Sequence, residues 1–283
     1  MMEQRSIQQE AIRVLVPRVT AGRKASLAVT QAVCRAVQLL ECLAKGGREG
    51  LGITELSQEL GFPKSTVHRI LATLAHEGYV IQVVPTGRYD LTLKVLELSA
   101  LVQRRMRLPY QARLHLLQLM ASTDEAVTLA AVEGRRLLVI DRVDRPERMN
   151  PGSDIGLHFA WHCTAAGKAI LSTLAPAGVE ALLGRKALES FTPHTLTSRE
   201  ALFMDLAEAA RLGYAVDREE CRLGVKGVAA PIRDRAGEAI AAVEVDVPIV
   251  RLTEARLTVL GQGVKEAAER ISSGLGFRRR ESL

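Results

Sequence analysis

The sequence has no long apolar run and no paired cysteines, and each absence excludes a class of protein. No stretch approaches the roughly 18 consecutive apolar residues that a membrane span requires. The polar start of the chain lacks the apolar segment of a signal peptide. Its four cysteines form no Cys-x-x-Cys pair, which favours reduced, mostly buried thiols in a cytoplasmic protein over a disulfide framework.

Motifs that would indicate an enzyme are also missing. The chain contains neither Gly-x-Ser-x-Gly nor His-Glu-x-x-His. The segment from His162 to Ala169 is a poor phosphate-binding loop, because its first glycine is missing and Ala169 stands where a Ser or Thr must hold magnesium. Cys163 and Cys221 have no identifiable base to activate them. We therefore predict a protein that is not an enzyme and binds no cofactor.

The positive charge is concentrated in the first part of the chain. Residues 1–107 hold 15 Lys and Arg against 9 Asp and Glu, whereas residues 108–283 hold 23 of each. The whole net charge of +6 therefore lies in residues 1–107. Attraction to the phosphates of a nucleic acid would require such a distribution.

The segment from Ile53 to Tyr79 predicts a helix-turn-helix. Gly61 tolerates a positive φ, and Pro63 suits the start of the following helix. Apolar residues then recur with helical spacing at Val67, Ile70, Leu71 and Leu74. The opposite face is polar and presents Lys64, Ser65, Thr66, His68, Arg69 and Thr73. The second helix of such a motif places its first residues against base edges in the major groove.

Two short β-prone runs follow and predict a wing. Residues 80–83 and 89–91 flank the turn Pro85-Thr86-Gly87-Arg88, so we expect a hairpin with Arg88 at its tip. A helix with a stripe of small apolar residues is predicted over 28–45, and residues 1–27 are interpreted as a basic arm. The winged helix-turn-helix domain then spans 28–92. A leucine-rich linker helix spans 93–107, and its leucines suit either core packing or a dimer contact.

Residues 108–277 predict a second domain of class α+β. Apolar β-prone runs cover 126–133, 136–142, 214–216, 228–233 and 239–247. Helices are expected over 110–120, 165–174 and 176–183, from a capping box at Thr197 and Glu200 to Leu212, and from Thr253 to Gly274. The absence of a repeated βαβ unit favours an antiparallel sheet.

The chain from about Ala28 onward resembles the IclR family of bacterial transcriptional regulators. The resemblance rests on the order and spacing of several segments: GFPKSTVHRILATLAHEGY, GRYDL, HCTAAGKAIL, LTSREAL, GYAVDREE, GVAAPIRD and ISSGLG. It implies a winged helix-turn-helix joined to an effector-binding domain of GAF-like shape. It further implies a homodimer or homotetramer that binds a pseudo-palindromic operator near a catabolic or metabolic operon, as repressor or activator.

The resemblance also implies DNA-binding residues. Lys64, Ser65, Thr66, His68 and Arg69 would lie at the groove, with Arg69 as a bidentate guanine contact and Arg88 on a phosphate. We expect loss of Arg69 to cost about 1–3 kcal/mol and to relax base preference. Loss of Arg88 should weaken binding to all sequences evenly.

Family members that bind small carboxylates line their pocket with positions that are only partly matched here. The corresponding residues are Ala165, Ala166, Gly167, Asp217, Gly227, Glu244 and Asp246. Gly227 replaces a cysteine, and Glu244 and Asp246 replace two serines. Three carboxylates in one cavity would repel an anion.

Three interpretations of these acids stay open. The ligand is cationic, or neutral and rich in hydrogen-bond donors; a metal binds there, with His162 and Cys163 as possible further ligands; or the strand register turns the acids to solvent. A ligand-independent architectural DNA-binding protein is the alternative at the level of function, although residues 108–283 exceed what dimerisation alone requires.

Overall fold

We describe a computed structural model of the chain over residues 29–47, 49–144 and 155–278. Its contacts divide the chain into two compact units, with the boundary between Arg105 and Met106. The predicted N-terminal arm, most of the loop after Asp144 and the end of the basic C-terminal run lie outside the described residues. In the ranges that are described, no helix is both long and apolar enough to cross a membrane.

The described part of the first unit contains four helices and a hairpin. These elements are α1 (Gln31–Lys45), α2 (Ile53–Leu60), α3 (Lys64–His76), β1 (Val80–Val83), β2 (Arg88–Leu91) and α4 (Lys94–Arg105). Strands β1 and β2 pair antiparallel, as predicted for the wing. The core of the unit is formed by Leu39, Leu43, Leu56, Val67, Leu71, Leu74, Val80 and Tyr89. The predicted apolar stripe of α3 is therefore confirmed, with Ile70 only partly buried.

Two helices of this unit keep apolar side chains exposed. The stripe predicted for α1 is confirmed only in part. Leu43 is buried and Leu40 packs against the core, whereas Val29, Val33 and Val37 are 64%, 60% and 47% exposed. Helix α4 buries no residue at all. Packing among the described residues of the first unit therefore does not explain the leucines of α4.

The second unit is a six-stranded antiparallel sheet between two layers of helices. Its elements are α5 (Arg107–Thr123), β3 (Ala126–Glu133), β4 (Arg136–Val143), β5 (His158–Phe159), α6 (Ala165–Leu171), α7 (Pro176–Leu183), α8 (Arg199–Leu212), β6 (Ala215–Asp217), β7 (Val225–Arg233), β8 (Ala239–Pro248) and α9 (Glu254–Gly274). The strand order is β5-β4-β3-β8-β7-β6. Helices α5 and α9 cover one face, and α6, α7 and α8 cover the other. The predicted α+β class with an antiparallel sheet is confirmed.

The alternation along β8 decides which residues reach each layer. Val243, Val245 and Val247 pack towards α5 and α9. Glu244 and Asp246 have the opposite parity, so they lie on the face that carries α6.

Several predicted boundaries were wrong by a few residues. Helix α8 is capped by Ser198, whose hydroxyl accepts a hydrogen bond from the amide of Ala201 at 3.2 Å, and not by Thr197. Helix α6 ends at Leu171 and not at Leu174. The cysteines are unpaired as expected, but Cys163 alone of the four is fully buried and Cys34 is exposed.

Candidate DNA-binding and effector sites

The turn between α2 and α3 is fixed by local contacts. Gly61 ends α2 with φ 68°, in the left-handed region that glycine tolerates best. The hydroxyl of Ser57 donates to the carbonyl of Phe62 at 2.6 Å. Because Val67 and Leu71 are fully buried, the opposite side of α3 has to face outward.

The outward side of α3 carries the predicted DNA-binding residues. Lys64, Ser65, His68 and Arg69 are exposed, and Thr66 is half-buried. The four exposed side chains make no hydrogen bond or ion pair with any part of the chain that the structure describes. Their donors are therefore available to an external partner.

Arg88 is positioned differently from these residues. It lies in β2, and its Nε and one terminal nitrogen donate to the carbonyl of Gly50 at 3.1 and 3.0 Å. The same nitrogen donates to Glu55 at 2.7 Å. The amide of Gly52 and then Arg88 hold the pKa of Glu55 below its usual value. Arg88 thus ties the wing to the start of α2, while a phosphate contact by this residue stays a prediction.

The predicted effector residues converge on Gly227 in β7. This glycine pairs with Asp217 in β6 on one side and with Asp246 in β8 on the other. A Cβ placed on it would lie 2.5 Å from Oε1 of Glu244, 3.2 Å from Cβ of Ala165 and 3.4 Å from Oδ1 of Asp246. The absence of a side chain at position 227 therefore lets the Glu244 carboxylate lie against the strand.

Glu244 is directed at the first turn of α6. It is 3% exposed, and its Oε2 accepts a hydrogen bond from the amide of Ala166 at 2.9 Å. Burial raises its pKa well above the usual value, and the charges of Asp246 and Asp217 raise it further.

Asp217 is the second buried acid of the group. It is 6% exposed, and its Oδ1 accepts from the amides of Glu220 at 2.6 Å and Cys221 at 3.4 Å. Burial is the main reason that its pKa is raised to about 7. The interpretation that these acids face solvent is therefore wrong for both Asp217 and Glu244.

Gly167 has a packing role and does not face the acids. A Cβ on Gly167 would lie 2.3 Å from the carbonyl oxygen of Trp161, so the close approach of these backbones requires glycine. Its amide donates to the hydroxyl of Thr164 at 3.1 Å. The structure therefore explains Gly167 by packing, and a ligand contact by this residue stays a prediction.

Two basic side chains near the acids were missed by the sequence analysis. Lys168 is fully buried in α6, and its Nζ pairs with Glu220 at 2.5 Å and with Asp205 at 2.8 Å. Arg142 in β4 lies 3.2 Å from Asp144 and 4.0 Å from Asp246. An internal lysine in an apolar helix would have been the available signal, since such a charge needs partners.

Two further candidate sites are a metal site and a cavity in the second unit. Within the described ranges, no three His, Cys, Asp or Glu side chains form a group that could hold a metal ion. The metal interpretation therefore has no structural support, and His162 instead bonds to the carbonyl of Glu189 at 2.8 Å. A cavity of about 510 Å³ opens between α8, β7 and α9, and none of the predicted effector residues lines it.

A winged helix-turn-helix with a free polar face, followed by a separate α+β unit, defines a DNA-binding transcription regulator. The helix-turn-helix domain of IclR matches residues 32–83, and the C-terminal domain of bacterial transcriptional regulator IclR matches residues 100–273. The chain belongs to the IclR family. Since this family consists of transcriptional regulators, the protein is a regulator and not an enzyme.

The alignments with relatives cover most of the chain. The acetate operon repressor of Salmonella typhimurium is 36% identical over 251 residues, which cover 87% of this chain and 90% of that protein. The crystal structure of Thermotoga maritima IclR has a TM-score of 0.73 at 28% identity, covering 87% of this chain and 99% of that one. An IclR homologue from Microbacterium hydrocarbonoxydans, solved with 4-hydroxybenzoate, has a TM-score of 0.74 at 25% identity over 86% of this chain and 98% of its own.

Proposed function

We propose that the protein is a ligand-responsive regulator of a catabolic or metabolic operon that binds a pseudo-palindromic operator. The observation that carries the proposal is the polar face of α3, on which Lys64, Ser65, His68 and Arg69 are exposed and unpaired among the described residues. Arg69 is the residue suited to a bidentate guanine contact, and Lys64 to a phosphate.

A homodimer, or a pair of dimers, is the form that we propose binds the operator. The support comes from apolar side chains of the first unit that are exposed among the described residues. Leu96, Leu101 and Val102 in α4 are 63%, 51% and 58% exposed, alongside the exposed valines of α1. Burying such faces against a second copy would remove apolar surface from water and present two recognition helices to one duplex.

The second unit is proposed to bind the effector. The homologue solved with 4-hydroxybenzoate supports a small-molecule effector. A ligand that binds one arrangement of the dimer more tightly would shift the population towards it, and with it the spacing of the two recognition helices. A cytoplasmic location follows from this role.

Selection of genomic fragments by the purified full-length protein tests the proposal. We expect an enriched site with two inverted half-sites whose centres lie one helical turn, about 34–36 Å, apart or a multiple of it. Sedimentation of the same sample should give a dimer or tetramer. Lys64→Ala should lower the slope of log affinity against log salt by about one, whereas Lys45→Ala, an exposed lysine on α1, should leave it unchanged. Binding without sequence preference would contradict the proposal.

A further inference from the structure

We propose that the effector site around Gly227 takes the ammonium group of a small organic amine and rejects small carboxylates. The inference rests on the proposed function, because it names the ligand class of the same effector domain. Asp217 and Glu244 are the residues that would bind the ammonium, with Asp246 at the edge of the site.

Both principal acids hold one carboxylate oxygen that no described residue binds. Oε2 of Glu244 accepts from the amide of Ala166, and Oδ1 of Asp217 accepts from two amides. Their second oxygens, Oε1 and Oδ2, have no hydrogen-bond partner among the described residues. Each residue is more than nine-tenths buried, so these oxygens are open to a small donor at most.

The two unused oxygens belong to side chains that converge on the same place. Oε1 of Glu244 lies 2.5 Å from the position of a Cβ on Gly227, and Asp217 is the cross-strand neighbour of that glycine. Asp246 approaches the same point from β8 with its Oδ1 at 3.4 Å. The side chain of Asp246 is 21% exposed, so it marks the side from which a ligand would enter.

Among the described residues, no basic side chain forms an ion pair with Asp217 or Glu244, although the charge of Lys168 lowers the pKa of Asp217. Lys168 pairs with Glu220 and Asp205, and Arg142 lies 3.2 Å from Asp144 and 4.0 Å from Asp246. Over the same part of the chain, the titratable groups beside the site include Cys163, Lys168, Glu220, Cys221, Arg222 and Arg142. Without a further cation, the two acids relieve the cost of burial by holding protons, which agrees with their raised pKa values.

The same geometry discriminates between ligands. An ammonium group supplies a positive charge and up to three donors for the unused oxygens. Once Asp217 has given up its proton, a carboxylate would add a like charge beside it, and the backbone amide of Ala166 is already taken by Glu244. A polyol supplies donors but no positive charge. Amine binding should therefore strengthen between pH 6 and pH 8, as Asp217 gives up its proton.

Thermal shift and calorimetry on the full-length protein test the inference at constant ionic strength. The probes are 1,4-diaminobutane and ethanolamine, with pyruvate and 4-hydroxybenzoate as acids, glycerol as the polyol, and sodium and magnesium chloride as metal salts. We expect at least one amine to bind and to raise the melting temperature, more at pH 8 than at pH 6. The acids, glycerol and the metal salts should have no effect.

Two variants and one matched control complete the test. Glu244→Gln and Asp217→Asn should each weaken amine binding roughly tenfold or more, because each removes a charge-assisted hydrogen bond. Glu238→Gln, an exposed acid beside the β7–β8 turn, should bind as the wild type does. Circular dichroism shows whether each variant is folded. If one of the two acid variants is unfolded, amine binding by the other one decides the test.

The outcomes separate this inference from the proposed function. Wild-type protein that still binds its operator but ignores every amine, or binds an acid, glycerol or a metal ion instead, overturns the inference alone. Equal losses in Glu244→Gln and Glu238→Gln overturn it as well. Loss of sequence-specific DNA binding in the wild type would contradict the proposed function, whatever the amines do.

Discussion

The recognition face of α3 and the acid group around Gly227 use polar side chains in opposite ways. On α3 the polar groups are exposed and unpaired among the described residues, so removing one changes binding while the fold stays intact. Around Gly227 the polar groups are buried and bonded to the backbone, so each one also affects the stability of the fold. Exposed polar residues are therefore available to an external partner alone. Buried polar residues contribute to the stability of the fold as well as to any ligand contact.

The largest effect that this contrast predicts is at Lys168. Lys168→Met leaves Glu220 and Asp205 without their shared cation inside the second unit, and we expect a loss of about 3–5 kcal/mol in the free energy of unfolding. Urea unfolding measures it. Lys186→Met, which changes an exposed lysine, should alter stability by less than about 0.5 kcal/mol. Similar values for the two variants would remove the distinction between buried and exposed charges.

The next effect is the pH dependence that Asp217 imposes on stability. Its pKa rises from 3.8 to about 7 on folding, so between these values the folded protein holds a proton that the unfolded chain has lost. Stability should therefore fall as the pH rises from about 4 to 7, by roughly 3–4 kcal/mol if this group acts alone. Asp217→Asn should flatten that part of the curve in pH-dependent unfolding. An unchanged slope in this variant would show that other groups cause it.

Arg69 should give a smaller effect, and one that is confined to DNA. Arg69→Ala is expected to cost about 1–3 kcal/mol in operator affinity and to relax base preference at one position of each half-site. The melting temperature should stay close to that of the wild type, because the exposed side chain makes no hydrogen bond or ion pair with the described residues. Arg235→Ala, an exposed arginine of the second unit, serves as the control. Equal affinity losses in both variants would contradict base recognition by Arg69.

The smallest effect, at Arg88, decides between two roles. If its contacts to Gly50 and Glu55 are its main function, Arg88→Ala should lower stability by about 1 kcal/mol or less and leave the salt slope of binding unchanged. If it contacts a phosphate, the slope should fall by about one at unchanged stability. A salt titration combined with urea unfolding separates the two, and Glu55→Gln should reproduce only the first outcome.

The first unit was largely predictable because its signals are local. The glycine at the turn, the proline before α3 and the stripe through Val67 and Leu71 lie within a short segment, and each indicated the element that formed. The stripe of α1 was right at Leu40 and Leu43 but not at Val33 and Val37, because exposed valines repeat as regularly as buried ones do. Periodicity reports an apolar face, and it does not tell whether the same chain or another covers it.

The acid site depended on pairings that no local pattern reveals. The sequence predicted that Glu244 and Asp246 share one face of β8, but not which face carries α6. That choice follows from contacts with Ala166, 78 residues away along the chain. Lys168 was read as part of a helix start, since its partner Glu220 comes 52 residues later. The N-cap of α8 shows a similar limit of sequence analysis. Thr197 and Ser198 both carry a hydroxyl, and the sequence does not tell that Ser198 is the one that caps the helix.

The bare Cα at position 227 links two strands through one acid. Gly227→Ala would place a methyl group 2.5 Å from Oε1 of Glu244, which is too close for the two atoms, so the carboxylate would have to shift. The other oxygen of the same carboxylate accepts the hydrogen bond from Ala166, so the shift would be felt at the contact between β8 and α6. A single added carbon on β7 would thus reshape the acid group without replacing an acid.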